Sequence, residues 1–152
     1  MYQKSSDEIV NKINMQRTYF SSGATLPVRN RINALKSLKT NIIKFLDEIH
    51  DALKSDLGKS ASESYMCETG MVLSEITYML KHIRNFAREH SVITPLSQFP
   101  SRSYVKPSPY GTVLIMSPWN YPFLLTLEPL VDALAAGNTA VIKPSAYSPN
   151  TA

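Results

Sequence analysis

Two polar side chains, Asn120 and Lys143, stand where this chain could run a reaction. Each follows a short apolar run. Thr112–Met116 leads into Ser117, Pro118, Trp119 and Asn120, and Thr139–Ile142 leads into Lys143, Pro144 and Ser145. An amide held just past a strand end can donate a hydrogen bond to a developing oxyanion. The same amide could instead cap a following helix. An ammonium at a strand end can reach ribose hydroxyls or a phosphate. It could also simply extend its stem along apolar surface and leave its charge in water. Other chemistries are poorly represented: there is no Gly-x-Gly-x-x-Gly, no phosphate-loop motif and no Cys/His cluster with metal spacing. His50, His82 and His90 fall on the polar faces of expected helices and read as solvated. Cys67 is the single cysteine. It would need a lowered pKa to act as a nucleophile, and with no histidine beside it in sequence it reads as a packed thiol.

The elements that position these residues form a βαβ unit. Both apolar runs are rich in β-branched or large aliphatic residues, and continuous hydrophobicity predicts strands covered on both faces. Between them, Tyr121–Ala136 has the length of a helix. In such a sheet, ligands meet the C-terminal strand ends, which here carry Ser117–Asn120 and Lys143–Ser145. Pro122 can open the helix after Asn120. Pro129 inside a continuous helix would cost about 3 kcal/mol, so the segment is expected to split there, with a second piece running through Leu130, Leu134 and Ala135. Gly137–Asn138 supplies the turn into the second strand.

The preceding residues are helical and amphipathic. Ser5 or Ser6 can cap a first helix, Asp7 and Glu8 suit its opening turn, and Gly23 ends it. Pro27 opens a long second helix with an apolar face through Val28, Ile32, Leu35, Leu38, Ile42, Leu46, Ile49, Leu53 and Leu57, closed by Gly58. A third helical region covers Ser62–Glu89, with a joint at Gly70 and a stripe of Val72, Ile76, Met79, Ile83 and Phe86. The expectation is that these helices pack against the sheet and carry no chemistry. Prolines at 95, 100, 107 and 109 exclude a helix over Ser91–Pro109. Ser101–Lys106 could be an exterior strand that joins another subunit's sheet, or a plain connecting strand.

The chain has 152 residues, 43% of them hydrophobic, and a net charge of +4. It is long enough for a real core, and its scattered basic residues argue against nucleic acid as a partner. One cysteine fits a reducing compartment, and the apolar runs are too short to span a bilayer. The cytoplasm is the expected setting. The final residues, Ser148–Ala152, read as the start of a helix, and a sheet of two strands is too small to stand alone. The expectation is a piece of a longer protein.

Pro109–Tyr110–Gly111, Pro118–Trp119–Asn120–Tyr121–Pro122, Ala133–Asn138 and Lys143–Pro144–Ser145, in that order and spacing, resemble the N-terminal part of the aldehyde dehydrogenase superfamily. The match is to the branch acting on medium- and long-chain or aromatic aldehydes, and it covers essentially the whole chain. The resemblance implies an α/β fold: N-terminal helices packed on the start of a Rossmann-like parallel sheet, an incomplete aldehyde dehydrogenase fold. It implies a helical part of the cofactor-binding domain over 1–98, a bridging and oligomerisation strand over 99–108 and the first βαβ over 109–152. By the same resemblance Asn120 stabilises the thiohemiacetal oxyanion, and Lys143 binds the adenosine ribose of NAD or NADP. Ser117, Pro118, Trp119 and Ser145 line the cofactor cleft. The implied partners are an aldehyde substrate and a second copy of the full-length chain in a dimer. Ala146 departs from the glutamate common in relatives. A carboxylate there would hold the ribose and repel a 2′-phosphate, so weak discrimination between NAD and NADP is expected. The family's nucleophilic cysteine, general-base glutamate and glycine-rich cofactor turn would lie beyond residue 152, so the chain alone is expected to be inactive. The alternative is a truncated, inactive product that serves only as an interaction or oligomerisation module. A different Rossmann-like nucleotide binder is disfavoured by the Trp119–Asn120 pair and the missing glycine motif.

Overall fold

The computed structural model describes residues 6–152, so the expected cap at Ser5 lies outside the described residues. Helix α1 (Ser6–Ser21) carries Asp7 and Glu8 in its first turn, where they complement the helix dipole. Gly23, at φ 75°, turns the chain out of it. Pro27 immediately precedes α2 (Val28–Lys44).

The expected single second helix is two. Phe45 adopts φ −105° and ψ 25°, leaves the helical region and separates α2 from α3 (Leu46–Leu57). The chain bends there with little loss of hydrogen bonding: Phe45 N–H donates to Asn41 O, and Ile49 N–H to Phe45 O. The apolar face therefore survives the bend, with Leu35, Ile42 and Leu53 all buried. Gly58 closes α3 in the left-handed region, as expected.

The third region is a one-turn helix α4 (Ala61–Ser64), a π-helical turn (Tyr65–Thr69) and α5 (Gly70–Phe86). The joint at Gly70 is present, and its cause is steric. Gly70 N–H donates to Tyr65 O across the wide turn, and a Cβ at Gly70 would lie 2.6 Å from that oxygen. Val72, Ile76 and Ile83 of α5 are buried and form one core with Leu35 and Ile42 of α2. The helix stops at Phe86, short of Glu89.

His90 is on a strand, not on a helix as expected. Strand β1 (His90–Val92) pairs antiparallel with β2 (Ser103–Val105), Ser91 opposite Tyr104. β2 is shorter than the expected 101–106, and β1 was not anticipated. The ribbon is largely exposed.

The βαβ unit is present. β3 (Thr112–Met116) and β4 (Thr139–Lys143) are parallel, in register from Thr112 opposite Thr139 to Met116 opposite Lys143. Helix α6 (Leu124–Ala136) connects them and does not split: Pro129 sits inside one continuous helix. The proline is exposed, while Leu124, Thr126, Val131, Ala133 and Ala135 are buried along the other side. Burial of that face carries the helix across the hydrogen bond Pro129 cannot make. At the opposite ends of the strands, Gly111 N–H donates to Asn138 Oδ1 at 2.9 Å, and Thr139 N–H to Gly111 O at 3.0 Å.

The expectation of two covered strand faces fails. Alternation places residues 112, 114 and 116 on one face and 113 and 115 on the other. Helix α6 packs beneath one face, and α1 meets the other at its start, with the Thr139 hydroxyl 3.4 Å from Gln16 O. Helix α1 runs on beside Ala140–Ile142 of β4, but on β3 Leu114 and Met116 remain 62% and 67% exposed.

Candidate functional site

The ends of β3 and β4 stay together past the strands, because Ser117 N–H donates to Lys143 O at 3.3 Å. The turn from Ser117 to Tyr121 therefore lies beside Lys143–Ser145. Asn120 and Lys143 are both exposed, and neither side chain has a hydrogen-bond or ion-pair partner among the described residues. Both are free to meet a ligand. Trp119 is half-exposed and Pro118 exposed on the same turn. The alternative reading of Asn120 as the helix cap fails. Helix α6 begins at Leu124, and its N-cap, Phe123, offers no side-chain hydrogen bond.

Two of the expected cleft residues are held by local contacts. Ser117 is buried, its hydroxyl 2.6 Å from that of Thr126 on α6. Ser145 is buried, and its hydroxyl accepts from Tyr147 N–H at 3.2 Å. Their side chains shape the turn, and the exposed groups are those of Pro118, Trp119, Asn120 and Lys143. A hollow of about 350 Å³ opens at this end between α6 and β4, lined by Pro122, Phe123, Thr126, Ile142, Pro144 and Ser148 among others. A hollow of about 500 Å³ lies at the opposite end, beside Asn138 and Thr139. It touches none of the candidate residues, so its size says nothing about this chemistry.

What caps α6 is a residue the sequence reading passed over. Glu68, on the π-helical turn, is completely buried. Its Oε2 accepts from Phe123 N–H at 2.9 Å and Leu124 N–H at 3.2 Å. These are orphan donors of the first turn, and a carboxylate is well placed there. Its Oε1 accepts from Lys59 Nζ at 2.5 Å. Lys59 is itself buried, donates to Asn120 O at 3.3 Å and lies 4.1 Å from the centre of the Tyr121 ring. The signal was present in the spacing. Stepping back by fours along the stripe from Ile76 through Val72 reaches Glu68. A carboxylate on an apolar stripe requires a partner.

Other polar contacts fasten the frame. Arg31 of α2 donates to Thr25 O, Leu26 O and Ala135 O at 2.9, 2.8 and 3.3 Å, binding the C-terminal end of α6. Asp56 of α3 accepts from the backbone N–H and side chain of both Asn150 and Thr151. Burial pushes the Asp56 carboxyl pKa up, but these four hydrogen bonds outweigh it and leave the pKa below its ordinary value. His50, expected in solvent, lies half-buried with Nε2 3.1 Å from Thr69 Oγ1. His82 stacks between Tyr78 and Phe86 on α5. Cys67 is a half-buried free thiol on the π-helical turn. No group of His, Cys, Asp or Glu among the described residues could hold a metal ion, and no described helix is long and apolar enough to cross a membrane.

The aldehyde dehydrogenase family model matches residues 1–152. A 4,4'-diaponeurosporen-aldehyde dehydrogenase of Staphylococcus aureus is 44% identical over 144 residues, covering 95% of this chain and 31% of the relative. A dimeric NADP-preferring aldehyde dehydrogenase of Canis lupus familiaris is 40% identical over 146 residues, covering 95% of this chain and 32% of the relative. The solved structure of a substrate-bound state of Staphylococcus aureus AldH superposes with a TM-score of 0.91 at 43% identity, over 94% of this chain and 31% of that one. The chain thus spans about 30% of the length of the relatives it matches.

Proposed function

The chain belongs to the aldehyde dehydrogenase family, and we propose that it supplies the oxyanion donor and one wall of the cofactor cleft to a longer NAD(P)-dependent enzyme. That enzyme oxidises a medium- or long-chain or aromatic aldehyde to its carboxylic acid. A cysteine thiolate outside this segment adds to the aldehyde carbon, the hydride leaves, and water releases the acid from the resulting thioester. As the thiolate adds, the carbonyl oxygen gains negative charge. The Asn120 amide is free to donate to that oxygen. Bound NAD(P) supplies the hydride acceptor.

The donor set fits a dinucleotide. Lys143 presents an ammonium with no carboxylate partner among the described residues, at the C-terminal end of a parallel strand, which suits ribose hydroxyls or a phosphate. Pro118 and Trp119 add exposed packing surface on the adjacent turn. The exposed β1–β2 ribbon, with Ile93, Tyr104 and Val105 in solvent, is suited to pairing with a second copy of the full-length chain. Thiolate chemistry suits a reducing compartment such as the cytoplasm.

The observation that carries this reading is the pair of unpartnered side chains, Asn120 and Lys143, at adjoining strand ends. In the longer protein, Asn120→Ala should lower kcat by about 2.7–4 kcal/mol, some hundred- to thousandfold, with little change in cofactor KM. Unchanged turnover would retire Asn120 as the donor. The chain alone, whose one thiol sits on the π-helical turn, should not reduce NAD(P) with an aldehyde. Formation of NADH or NADPH by purified 1–152 would overturn that.

A further inference from the structure

We propose that the buried Lys59–Glu68 pair is the positioning device for the Asn120 amide, holding the turn that carries it against the first turn of α6. The inference rests on reading Asn120 as the oxyanion donor. The Asn120 side chain has no hydrogen-bond or ion-pair partner among the described residues, so its placement depends on its backbone. That backbone is gripped on both sides. Lys59 Nζ donates to Asn120 O and lies under the Tyr121 ring, and Glu68 takes the N–H groups of Phe123 and Leu124. The two grips are one unit through the 2.5 Å contact between ammonium and carboxylate.

The pair makes little sense as a stability device. Burying two charges costs more than packing two apolar side chains of the same volume. Its geometry does what apolar side chains cannot: it satisfies a carbonyl and two amide N–H groups on the far side of the proposed donor. Glu68 reaches them from the π-helical turn, where it continues the buried stripe of Val72 and Ile76. Such turns recur at functional sites. Lys59 and Glu68 touch neither substrate nor cofactor in this account and act only through Asn120.

The test is a cycle in the full-length enzyme, assayed with an aldehyde and NAD(P). Lys59→Met should lower kcat roughly tenfold or more, because displacing a positioned group by about an ångström costs on that scale. Cofactor KM should change less than about twofold. In an Asn120→Ala background the same Lys59→Met change should leave kcat unaffected, since the group it positions is gone. A merely structural role would lower kcat by the same factor in both backgrounds, and that result overturns the proposal. Should Lys59→Met fail to fold, Lys59→Met/Glu68→Gln leaves no orphan charge. Wild-type kcat in that variant overturns the proposal, and a tenfold loss confined to the Asn120 background supports it. Failure of the underlying reading is distinguishable: Asn120→Ala would then leave the wild-type rate intact.

Discussion

Gly137→Ala tests how the end of α6 is locked, and the structure gives its cost in two parts. Gly137 has φ 93°, so any L side chain there is strained. The backbone part is roughly 1–2 kcal/mol. The second part comes from Arg31. A Cβ at 137 would fall 2.7 Å from its Cζ, 2.8 Å from Nε and 2.9 Å from Nη2. The guanidinium ends a flexible side chain, but it cannot simply swing away, because three carbonyl oxygens hold it. Losing one of those charge-assisted bonds costs about 1.5 kcal/mol. The expected total is roughly 3 kcal/mol, or about 6–12 °C in Tm for a chain of this size. The assay is thermal or urea unfolding of Gly137→Ala, Arg31→Ala and the double variant. With Arg31 shortened, Gly137→Ala should cost only its backbone part. An equal loss in both backgrounds, or a loss under about 0.5 kcal/mol in the parent, refutes the clash with Arg31.

Asp56→Asn should destabilise the chain by about 1 kcal/mol at neutral pH, on the scale of a lost helix cap. Because the folded pKa of Asp56 is depressed, its contribution is complete above the ordinary aspartate value and fades as pH falls through the folded one. The gap between Asp56→Asn and the parent should therefore close in acid, and a pH-independent gap in urea titrations would count against the hydrogen bonds from Asn150 and Thr151 as its source. Glu75 behaves oppositely: burial, then the charges of Asp132 and Glu128, raise its pKa. Glu75→Gln should stabilise by about 0.5 kcal/mol at neutral pH, and the gain should shrink as pH falls below the raised value and vanish below the ordinary glutamate value. In the longer protein, Ala146→Glu should cut the use of NADP relative to NAD roughly tenfold, since each charge pair at about 4 Å in water is worth about 1 kcal/mol. An unchanged ratio of kcat/KM for the two cofactors would show that residue 146 does not face the ribose.

The βαβ unit was legible because its signals are local: two β-rich runs, a helix-length interval and Gly137–Asn138 as a turn. Positions that depend on distant parts of the chain were not. Nothing in sequence marks Phe45, neither proline nor glycine, yet the helix bends there. Pro129 marked a break that did not occur, since burial of the far side of α6 outweighed the local penalty. Strand β1 is only three residues, His90, Ser91 and Val92, and its pairing is decided by β2. That Asn120 and Lys143 fall at strand ends was also legible, because the apolar runs before them are local. That Asn120 does not cap α6 was not legible, because the capping carboxylate comes from Glu68, 55 residues away from Phe123.

That last separation changes the meaning of the helical section. Helices α3 to α5 were expected only to cover a sheet, and an apolar pair at 59 and 68 would serve that purpose with less desolvation. Instead the turn between α3 and α4 delivers an ammonium to Asn120 and Tyr121, and the π-helical turn delivers a carboxylate to Phe123 and Leu124, both groups buried and in contact with each other at the start of α6. Gly70 belongs to the same arrangement, since a Cβ there would collide with the Tyr65 carbonyl and disturb the turn that aims Glu68. A site assembled this way is precise only while the helices stay docked. Mutations in the α2–α5–α6 core should therefore loosen the proposed oxyanion donor before they unfold the chain.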